Sequence, residues 1–326
     1  MLNQRILVAG AGGFIGGWLV KSLLDLGYKS IRAIDIKPKH EWFQIFDQAE
    51  NVSLDLSMQG NSDLATQKID FVYNLAADMG GMGFIENNKA LCMLSVLINT
   101  NLLMSAQRNG AKKFFYASSA CVYNQALQSN PNNPGLKETD AYPAQPEDGY
   151  GWEKLFSERM CKHFNEDYGL EVRIARFHNV YGPNGTYTGG REKAPAAICR
   201  KVAEAVLSKK LEIEIWGDGE QTRSFTYIED TITGIHKMMD SSFNDPLNLG
   251  SSQMVTINEM VSMVEKIAKI QLNRTYNLDA PKGVRGRNSE NTLIESTLNW
   301  SPSISLEEGL KKTYEWIFND MERKHH

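Results

Sequence analysis

Two short segments carry residues whose types and spacing suit acid–base chemistry. Tyr150 and Lys154 are four residues apart in YGWEK, which places a phenol and an ammonium group on one face of a helix. A nearby cation lowers the pKa of a phenol, so we expect this tyrosine to exchange protons near neutral pH. Ser119 and Cys121 lie in ASSACVY, directly after the apolar run KKFFY. A thiol has an ordinary pKa of about 8.5, close enough to neutrality for proton exchange, but a cysteine is more often a small buried apolar residue.

A glycine-rich segment after the first apolar run has the pattern of a dinucleotide site. Gly10 ends the run RILVAG, and Gly13 and Gly16 follow it and open a helical stretch. Here the backbone can turn tightly and present its amides to a pyrophosphate. Asp35 ends the second strand-like run, where a carboxylate binds the ribose 2′-hydroxyl of NAD and repels a 2′-phosphate. NAD is therefore the predicted cofactor. Its predicted contacts are Gly10, Gly13, Phe14, Ile15, Gly16, Asp35, Asp55, Leu56, Tyr150 and Lys154.

The elements that position these residues alternate between strand and helix. Strand-like runs at 5–10, 30–36, 71–77, 112–118 and 171–177 enclose helix-like stretches at 14–26, 87–108 and 150–168. Beyond residue 182, helix-like stretches at 195–208, 256–270 and 305–322 accompany short strands around LEIEIWGD. We predict an α/β fold: a Rossmann-type doubly wound parallel sheet with a smaller C-terminal substrate-binding α/β domain. The predicted NAD-binding domain comprises residues 1–181 and about 224–248, and the predicted substrate-binding domain comprises residues 182–223 and 249–326.

The composition narrows the class of protein. The 326 residues are 42% hydrophobic and 23% charged, which is typical of a soluble globular chain, and the net charge of -4 disfavours nucleic acid or an anionic membrane as a partner. The first strand begins too early for a signal peptide, and we expect no apolar run long enough to span a membrane. Four cysteines without CxxC spacing predict reduced thiols, no metal site and a cytoplasmic location.

The order of the motifs resembles that of the extended short-chain dehydrogenases/reductases. A glycine motif, a strand ending in Ser118 and Ser119, and a YxxxK segment follow one another as they do in that family. The resemblance implies a catalytic tetrad of Asn99, Ser119, Tyr150 and Lys154. The segment INTN offers Asn101 as an alternative to Asn99.

Within that family, six blocks between residues 74 and 289 resemble the GDP-mannose 3,5-epimerases. The blocks are NLAADMGGMGF, FFYASSACVY, RFHNVYGPNGT, GGREKAPAA, WGDGEQTRSFT and GVRGRNS, and their joint order is the specific signal. The resemblance implies a cytosolic homodimer that keeps NAD bound and converts GDP-mannose into GDP-L-galactose, with GDP-L-gulose as a side product.

The resemblance also gives the thiol a role. Oxidation of C4 of the hexose to a ketone makes the hydrogens at C3 and C5 acidic, and inversion of each carbon needs a base on one face and an acid on the other. The family pattern places these two groups at Cys121 and Lys193, whose alternatives are a buried apolar residue and a solvated loop charge. We expect burial or the neighbouring Arg191 to lower the pKa of Lys193.

Binding of a nucleoside diphosphate requires cationic side chains that neutralise its negative charges, and guanidinium groups suit bidentate phosphate contacts. Arg285 is next to Arg287 in GVRGRNS, and the resemblance favours Arg287. The loop MGGMG at 79–83 would let backbone approach the sugar, or it is a simple glycine turn. The implied substrate contacts are Gly80, Ser119, Cys121, Asn179, Glu192, Lys193, Ala194, Lys201, Gln221, Thr222, Arg223 and Arg287.

Two further functions and one interface stay open at this point. A dehydratase of this family carries an Asp-Glu pair where this chain has Ala120 and Cys121, which disfavours dehydration. A C4-epimerase or other sugar-nucleotide oxidoreductase needs the tetrad but not Cys121 or Lys193. A non-catalytic NAD-binding protein needs neither the tetrad nor these two residues. The helix-like stretches 87–108 and 150–168 are implied to pair with their copies in a partner subunit, and the first carries more apolar positions than one face needs.

Overall fold

The structure is a computed structural model that describes residues 2–281 and 283–325. Its strands and helices alternate in the first half of the chain, as the sequence predicts. The strands are β1 (Arg5–Ala9), β2 (Ser30–Asp35), β3 (Glu50–Ser53), β4 (Phe71–Asn74), β5 (Lys113–Ser119), β6 (Glu171–Phe177), β7 (Val180–Tyr181), β8 (Glu212–Trp216), β9 (Thr222–Ser224), β10 (Thr226–Tyr227), β11 (Leu247–Leu249), β12 (Met254–Thr256), β13 (Asn273–Asn277) and β14 (Gly286–Arg287). The helices are α1 (Phe14–Asp25), α2 (Gln59–Thr66), α3 (Met82–Asn87), α4 (Lys89–Arg108), α5 (Tyr150–Tyr168), α6 (Ala194–Ser208), α7 (Ile228–Asp240), α8 (Ile257–Ala268), α9 (Thr292–Leu298) and α10 (Leu306–His325).

A seven-stranded parallel sheet lies at the centre of the fold, in the order β11-β6-β5-β4-β1-β2-β3. Its interior strand β1 is apolar and buried from Ile6 to Ala9, because helices cover both faces of the sheet. The strand order reverses beside β1, which pairs with β2 on one side and β4 on the other. In such sheets ligands bind in the crevice beyond the carboxyl ends of the strands at this reversal. The predicted Rossmann-type fold is confirmed.

Two helical layers cover the sheet. The helices α1 and α7 pack against one face, and α2, α4 and α5 pack against the other, with α4 lying between α2 and α5. The apolar packing around α1 continues without a break into the C-terminal part of the chain, where α6, α8 and α10 pack on one another. The division into two domains stays a prediction.

The C-terminal half also contributes to the sheet and adds smaller ones. Strand β11 returns from beyond residue 182 to pair with β6, in register Leu247 to Ala175. Strand β9 lies between β12 and β14 in a three-stranded sheet, and β8 pairs with β13. The pairing of β9 with β14 sets Arg223 directly beside Arg287.

Several elements differ from the predicted bounds. The predicted helix 87–108 is α4, which begins two residues later, at Lys89. The short helix α3, which ends at Asn87, was not predicted. Strand β3 and helix α2 were not predicted. Each consists mainly of polar residues, ENVS and QGNSDLAT, and neither shows an apolar period.

The expectation that no apolar run is long enough to span a membrane is wrong for one element. Among the described residues, α4 is the helix that is long and apolar enough by length and composition, and 39% of its most apolar window is buried inside the fold. The same helix carries the buried polar residues Ser95, Asn99 and Ser105 and packs against α2 and α5.

Candidate active site

The glycine segment after β1 forms a cradle with no room for side chains. Gly10 has φ +83°, and a Cβ there would lie 2.9 Å from the backbone nitrogen of Ala76. A Cβ on Gly16 would overlap the carbonyl oxygen of Gly10. Gly13 is the N-cap of α1 and makes no side-chain cap, so the first amides of the helix are left for a ligand. This geometry fits the diphosphate of a dinucleotide.

The acid predicted to bind the ribose lies at the edge of that cradle. Asp35 ends β2 and is 7% exposed, and its Oδ1 accepts a hydrogen bond from the Lys37 amide at 3.0 Å. Lys37 Nζ donates to the carbonyl of Gly12 at 2.9 Å, which ties the two segments together. A carboxylate in this position fits a ribose hydroxyl.

The other predicted cofactor contacts have structural partners of their own. Asp55 Oδ1 accepts from the Ser57 amide at 2.9 Å, and Leu56 is buried in the apolar core. Phe14 and Ile15 begin α1 and are partly buried, with the ring of Phe14 packed on Gly185. The roles of these four residues stay predictions.

Three residues of the predicted tetrad lie where β5 meets α5. The Ser119 hydroxyl, at the end of β5, accepts a hydrogen bond from the Cys121 amide at 3.2 Å. Tyr150 is the first residue of α5, and Lys154 Nζ lies 5.4 Å from the centroid of its ring. Lys154 is 3% exposed, and its nearest carboxylate oxygen is Oε2 of Glu153 at 3.3 Å.

The two asparagines of INTN face different neighbours. Asn99 is buried on α4, and its Oδ1 accepts from Asn74 Nδ2 at 3.0 Å. Asn101 Nδ2 donates to the Ser57 carbonyl at 2.6 Å. Asn99 therefore lies beside the end of β4, and its place in the tetrad stays a prediction.

The pKa of Tyr150 moves in the direction opposite to the predicted one. Burial raises it well above the ordinary value of a phenol, and the nearby Cys121 and Glu153 raise it further, while the Ser119 hydroxyl lowers it. The spacing of Tyr150 and Lys154 is visible in the sequence, but the low-polarity surroundings of the hydroxyl are not.

Cys121 lies in a buried cluster with Arg287 and Glu147. Arg287 Nη1 donates to Cys121 Sγ at 3.4 Å, and Arg287 Nη2 donates to Glu147 Oε2 at 3.4 Å. Burial, followed by Glu147, raises the pKa of Cys121 to about 11, although Arg287 lowers it. The thiol is therefore protonated at neutral pH, whereas the sequence suggested a pKa near its ordinary value.

Lys193 belongs to the same electrostatic cluster. It is the N-cap residue of α6, and burial lowers the pKa of its ammonium group, with Arg287 lowering it further and Cys121 and Glu147 raising it. The predicted lowering of the Lys193 pKa and its predicted cause, burial, agree with the structure, but the alternative cause, proximity to Arg191, does not. Arg191 is exposed, lies 3.9 Å from the centroid of the Phe84 ring and pairs with Asp78 at 3.3 Å.

The glycine loop 79–83 packs against the segment that carries Lys193. The Gly81 amide donates to the Arg191 carbonyl at 3.0 Å, and a Cβ on Gly81 would lie 2.5 Å from the carbonyl oxygen of Glu192. The Glu192 side chain accepts from the Gly190 amide at 2.7 Å. This loop is thus a tight support for residues 190–193.

The cations predicted for the diphosphate separate into two places. Arg287 and Arg223 are neighbours in register, and burial followed by Arg287 lowers the pKa of Arg223 to about 9. Lys201 Nζ donates to the Glu214 carbonyl at 2.7 Å and lies 5.9 Å from the Trp216 ring. Arg285, the second choice in the sequence, is paired with Asp218 at 3.0 Å.

The remaining predicted substrate contacts line the loops and strands around this cluster. Asn179, at φ +44°, donates to the Ser224 carbonyl at 3.1 Å, and Gln221 Nε2 donates to the Trp216 carbonyl at 2.9 Å. The Thr222 hydroxyl donates to the Pro131 carbonyl. A Cβ on Gly80 would lie 2.8 Å from the Phe84 side chain, and Ala194 begins α6.

The sequence pattern of the NAD dependent epimerase/dehydratase family matches residues 6–250, which include the cradle, the tetrad and the Cys121 segment. The chain belongs to this family. Membership confirms the predicted NAD-dependent enzyme and the predicted NAD cofactor, which the glycine cradle and Asp35 fit. It also agrees with the resemblance to the extended short-chain dehydrogenases/reductases.

Relatives of known activity cover nearly the whole chain. GDP-mannose 3,5-epimerase of Arabidopsis thaliana is 45% identical over 99% of this chain and 84% of the relative. GDP-mannose 3,5-epimerase 1 of Oryza sativa subsp. indica is 45% identical over 98% of this chain and 83% of the relative. GDP-L-colitose synthase of Yersinia pseudotuberculosis is 28% identical over 97% of this chain and 99% of the relative.

Solved structures of the family share the fold. UDP-glucose 4-epimerase of Thermotoga maritima, with UDP-glucose, superposes with a TM-score of 0.87 at 24% identity, covering 97% of this chain and 99% of that one. A variant of UDP-glucuronic acid 4-epimerase from Bacillus cereus superposes with a TM-score of 0.80 at 25% identity, with the same coverage of both chains, and holds NAD and a fluorinated UDP-sugar.

Three side chains of the site were missed in the sequence. Glu153 directly precedes Lys154, and Lys37 follows Asp35 by two residues, so both had a visible signal in their spacing. Glu147 had a weaker one, as a carboxylate three residues before Tyr150 in PEDGY. Its contact with Arg287 joins residues that are 140 positions apart, which no local pattern reveals.

Proposed function

We propose that this chain catalyses the 3,5-epimerisation of GDP-mannose to GDP-L-galactose, with GDP-L-gulose as a side product. The 45% identity to plant GDP-mannose 3,5-epimerases over nearly the whole chain supports this substrate. The observation that carries the proposal is the cluster of Cys121, Arg287 and Lys193 beside Tyr150. A C4-epimerase has no need of a second acid–base pair beside its tetrad.

The tetrad residues serve the oxidation and re-reduction at C4. When bound, NAD supplies the chemistry of hydride removal from C4 and of its return. In its phenolate form Tyr150 takes the proton of the C4 hydroxyl, and as the phenol it gives this proton back, while the Ser119 hydroxyl orients the C4 oxygen. Lys154, held beside the Tyr150 ring, stabilises the phenolate.

Cys121 and Lys193 serve the inversions at C3 and C5. A C4 ketone makes the neighbouring carbons acidic, and each inversion requires removal of a proton on one face and delivery on the other. A lysine with a lowered pKa and a cysteine with a raised one form a pair in which each group can take one of these roles. Arg287 stabilises the thiolate of Cys121, which is the form that removes a proton from the sugar.

The proposal is tested by incubation of the purified protein with GDP-mannose in heavy water, followed by NMR of the sugar. We expect deuterium at C3 and C5. Cys121→Ala and Lys193→Ala should lose this exchange and keep bound NAD, whereas Cys199→Ala, at another buried cysteine, should retain it. Inversion at C4 without deuterium at C3 or C5 would instead identify a C4-epimerase. Bound NAD without any change of sugar would identify a binding protein.

We also propose that the chain forms a homodimer through α4 and α5. These adjacent helices expose large apolar side chains at spacings of three and four residues, which one layer of a monomer does not need. The exposed residues are Leu91, Met93, Leu94, Leu97 and Met104 on α4 and Trp152 and Phe156 on α5.

Sedimentation velocity tests the interface. We expect a dimer for the unaltered chain and a monomer for the Leu94→Glu, Phe156→Glu double variant. Leu64→Glu, at an exposed leucine on α2, is the matched control and should leave the dimer intact. A monomeric unaltered chain, or a double variant that stays dimeric, would contradict the proposal.

A cytoplasmic location is the third part of the proposal. All four cysteines are buried and free, which is typical of proteins in a reducing compartment. Fractionation of the source cells, with immunodetection of the chain, would locate it, and recovery from a secreted or periplasmic fraction would contradict this part.

A further inference from the structure

Glu147 is a buried carboxylate to which the proposed reaction assigns no task. It lies in the loop before α5 and is 5% exposed, and its backbone amide donates to the Cys121 carbonyl at 3.0 Å. Its Oε2 accepts from Arg287 at 3.4 Å, while its Oε1 has no hydrogen-bond partner within the described part of the chain. A buried carboxylate oxygen without a donor is costly, so its retention here calls for a reason.

One guanidinium group joins this carboxylate to the thiol. Arg287 directs Nη1 to Cys121 Sγ at 3.4 Å and Nη2 to Glu147 Oε2 at 3.4 Å, and its Nε donates to Gln128 Oε1 at 2.6 Å. The three contacts fix the plane of the group. Cys121 and Glu147 therefore share a single buried cation, and a negative charge on one disfavours a negative charge on the other.

We propose that Glu147 is a positioning residue that controls the protonation of Cys121 through Arg287. The negative charge of the Glu147 carboxylate partly compensates the positive charge of the Arg287 guanidinium group. Arg287 then stabilises a thiolate less, and Cys121 stays in the thiol form. When that negative charge is neutralised, Arg287 is released to stabilise the thiolate. The effect of Glu147 on proton exchange with the sugar rests on the proposed function, whereas its effect on the protonation of the Cys121 thiol does not.

The surroundings of Cys121 support this assignment. Burial is the largest cause of its raised pKa and Glu147 is the next, while Arg287 is the largest opposing one. Among residues 2–281 and 283–325, the other ionisable groups that face this cluster are Glu86 on α3, Tyr150 on α5, Lys193 at the start of α6 and Arg223 on β9.

Glu147 also lies at the wall of a cleft. It lines this cleft of about 710 Å³ together with Glu86, Gln128 and Arg285. Of Cys121, Arg287 and Glu147, Glu147 is the residue that lines the cleft.

The test is a titration of the Cys121 thiol in the NAD-bound protein without substrate. Thiolate absorbance in the ultraviolet is recorded after stopped-flow pH jumps, and the matching Cys121→Ala protein is subtracted to remove the tyrosines and the other cysteines. We expect Glu147→Gln to lower the midpoint by about one pH unit or more, since a neighbouring charge shifts a buried pKa by this order. Glu86→Gln is the control at an acid of the same cleft. It should change the midpoint by less than Glu147→Gln does, because Arg287 donates to Gln128, Cys121 and Glu147 and not to Glu86.

An unchanged or raised midpoint in folded Glu147→Gln would overturn the proposal. Circular dichroism and retained NAD establish folding. If Glu147→Gln loses NAD, the titration of Glu147→Asp decides instead: the shorter side chain draws the carboxylate away from Arg287, so a smaller decrease is expected and an unchanged midpoint overturns the proposal. Because no substrate is present, failure of the deuterium experiment leaves this result intact.

If exchange at C3 and C5 occurs, its pH dependence gives a second readout. The rate for Glu147→Gln should reach its thiolate-dependent plateau at lower pH than that of the unaltered chain, with an unaltered KM for GDP-mannose. A loss of rate at every pH without such a displacement indicates a merely structural role and counts against the proposal.

Discussion

His178 is buried in an uncharged form behind the candidate site. Its Nε2 lies 2.8 Å from Asn248 Oδ1, and its Nδ1 has no partner among residues 2–281 and 283–325. Burial lowers its pKa from 6.5 to about 3, with Arg287 and Arg176 contributing in the same direction. The folded protein therefore excludes a proton that the unfolded chain binds in mildly acidic solution.

Protonation of His178 should contribute to the pH dependence of the free energy of unfolding. The stabilisation that comes from keeping His178 uncharged is fully present above about pH 6.5. It is lost as the pH falls towards about 3, and the free energy of unfolding decreases by about 1.4 kcal/mol per pH unit over this range. Urea unfolding at about pH 7 and about pH 5 should show that His178→Gln loses about 2 kcal/mol less than the unaltered chain does. His40→Gln, at a histidine whose side chain is 80% exposed, should behave like the unaltered chain. Equal losses in all three proteins would contradict the assignment.

Residues whose roles depend on local spacing could be predicted from the sequence. The glycines after β1, Asp35 at the end of β2, and the pair Tyr150 and Lys154 all lie where their spacing placed them. The contact of Cys121 with Arg287 spans 166 positions and needs β14 beside β9, which the sequence does not show. Burial is likewise a property of the packed molecule, and it reversed the predicted direction for the pKa of Tyr150.

At the scale of elements, the loop 79–83 and the start of α6 form one structural unit. The loop follows β4 and leads into α3, and its Gly81 amide is hydrogen-bonded to the Arg191 carbonyl at 3.0 Å. Gly81 lies so close to the Glu192 carbonyl that only hydrogen fits in place of a side chain. The position of Lys193 therefore depends on a loop more than one hundred residues away in the chain.

A single methyl group on this loop should impair proton exchange at C3 and C5 without impairing the binding of NAD. We expect Gly81→Ala to displace residues 191–193 and to reduce deuterium incorporation at C3 and C5 by about tenfold or more, since small misplacements of catalytic groups are costly. Bound NAD should be retained. Gly83→Ala, whose Cβ would make an ordinary contact of 3.6 Å with Trp216, is the control and should exchange normally. Equal exchange in both variants would show that the loop does not position Lys193.

Many of the predicted elements have a clear hydrophobic period, but α7 was missed although its buried apolar residues also recur at helical spacing. Strand β6 and helix α5 have the predicted bounds, because apolar runs and a helical period mark them. Strand β3 lies at the sheet edge, and its burial pattern shows no apolar face. Helix α2 is short and mostly polar, and its packing against α4 stabilises it more than its own sequence does.

At the scale of the whole molecule, the two predicted domains share structure. Strand β11 completes the sheet beside β6, and α7 packs against α1. Both elements come from the segment at about 224–248, which the prediction assigns to the NAD-binding domain although it follows residues 182–223 of the other domain. The apolar core on the α1 side of the sheet continues into α6, α8 and α10. The N-terminal part therefore relies on later residues for an edge strand and for cover on one face.

Expression of residues 1–181 alone should test this dependence. We expect a chain that lacks β11 and α7 to show no cooperative thermal transition and no NAD binding, because β6 keeps an unpaired edge and α1 stays partly exposed. Co-expression with residues 182–326 should restore both properties if the halves associate. Circular dichroism and equilibrium dialysis with NAD are the measurements. A stable, NAD-binding 1–181 fragment would contradict the expectation.

The late arrival of β11 also matters during synthesis. The ribosome releases β6 well before it has made residues 247–249, so the nascent chain carries a parallel sheet with an open edge while α6, β8 and β9 are still being added. Such an edge pairs readily with other chains. We therefore expect the growing polypeptide to need chaperone protection until the strand that seals the sheet has emerged.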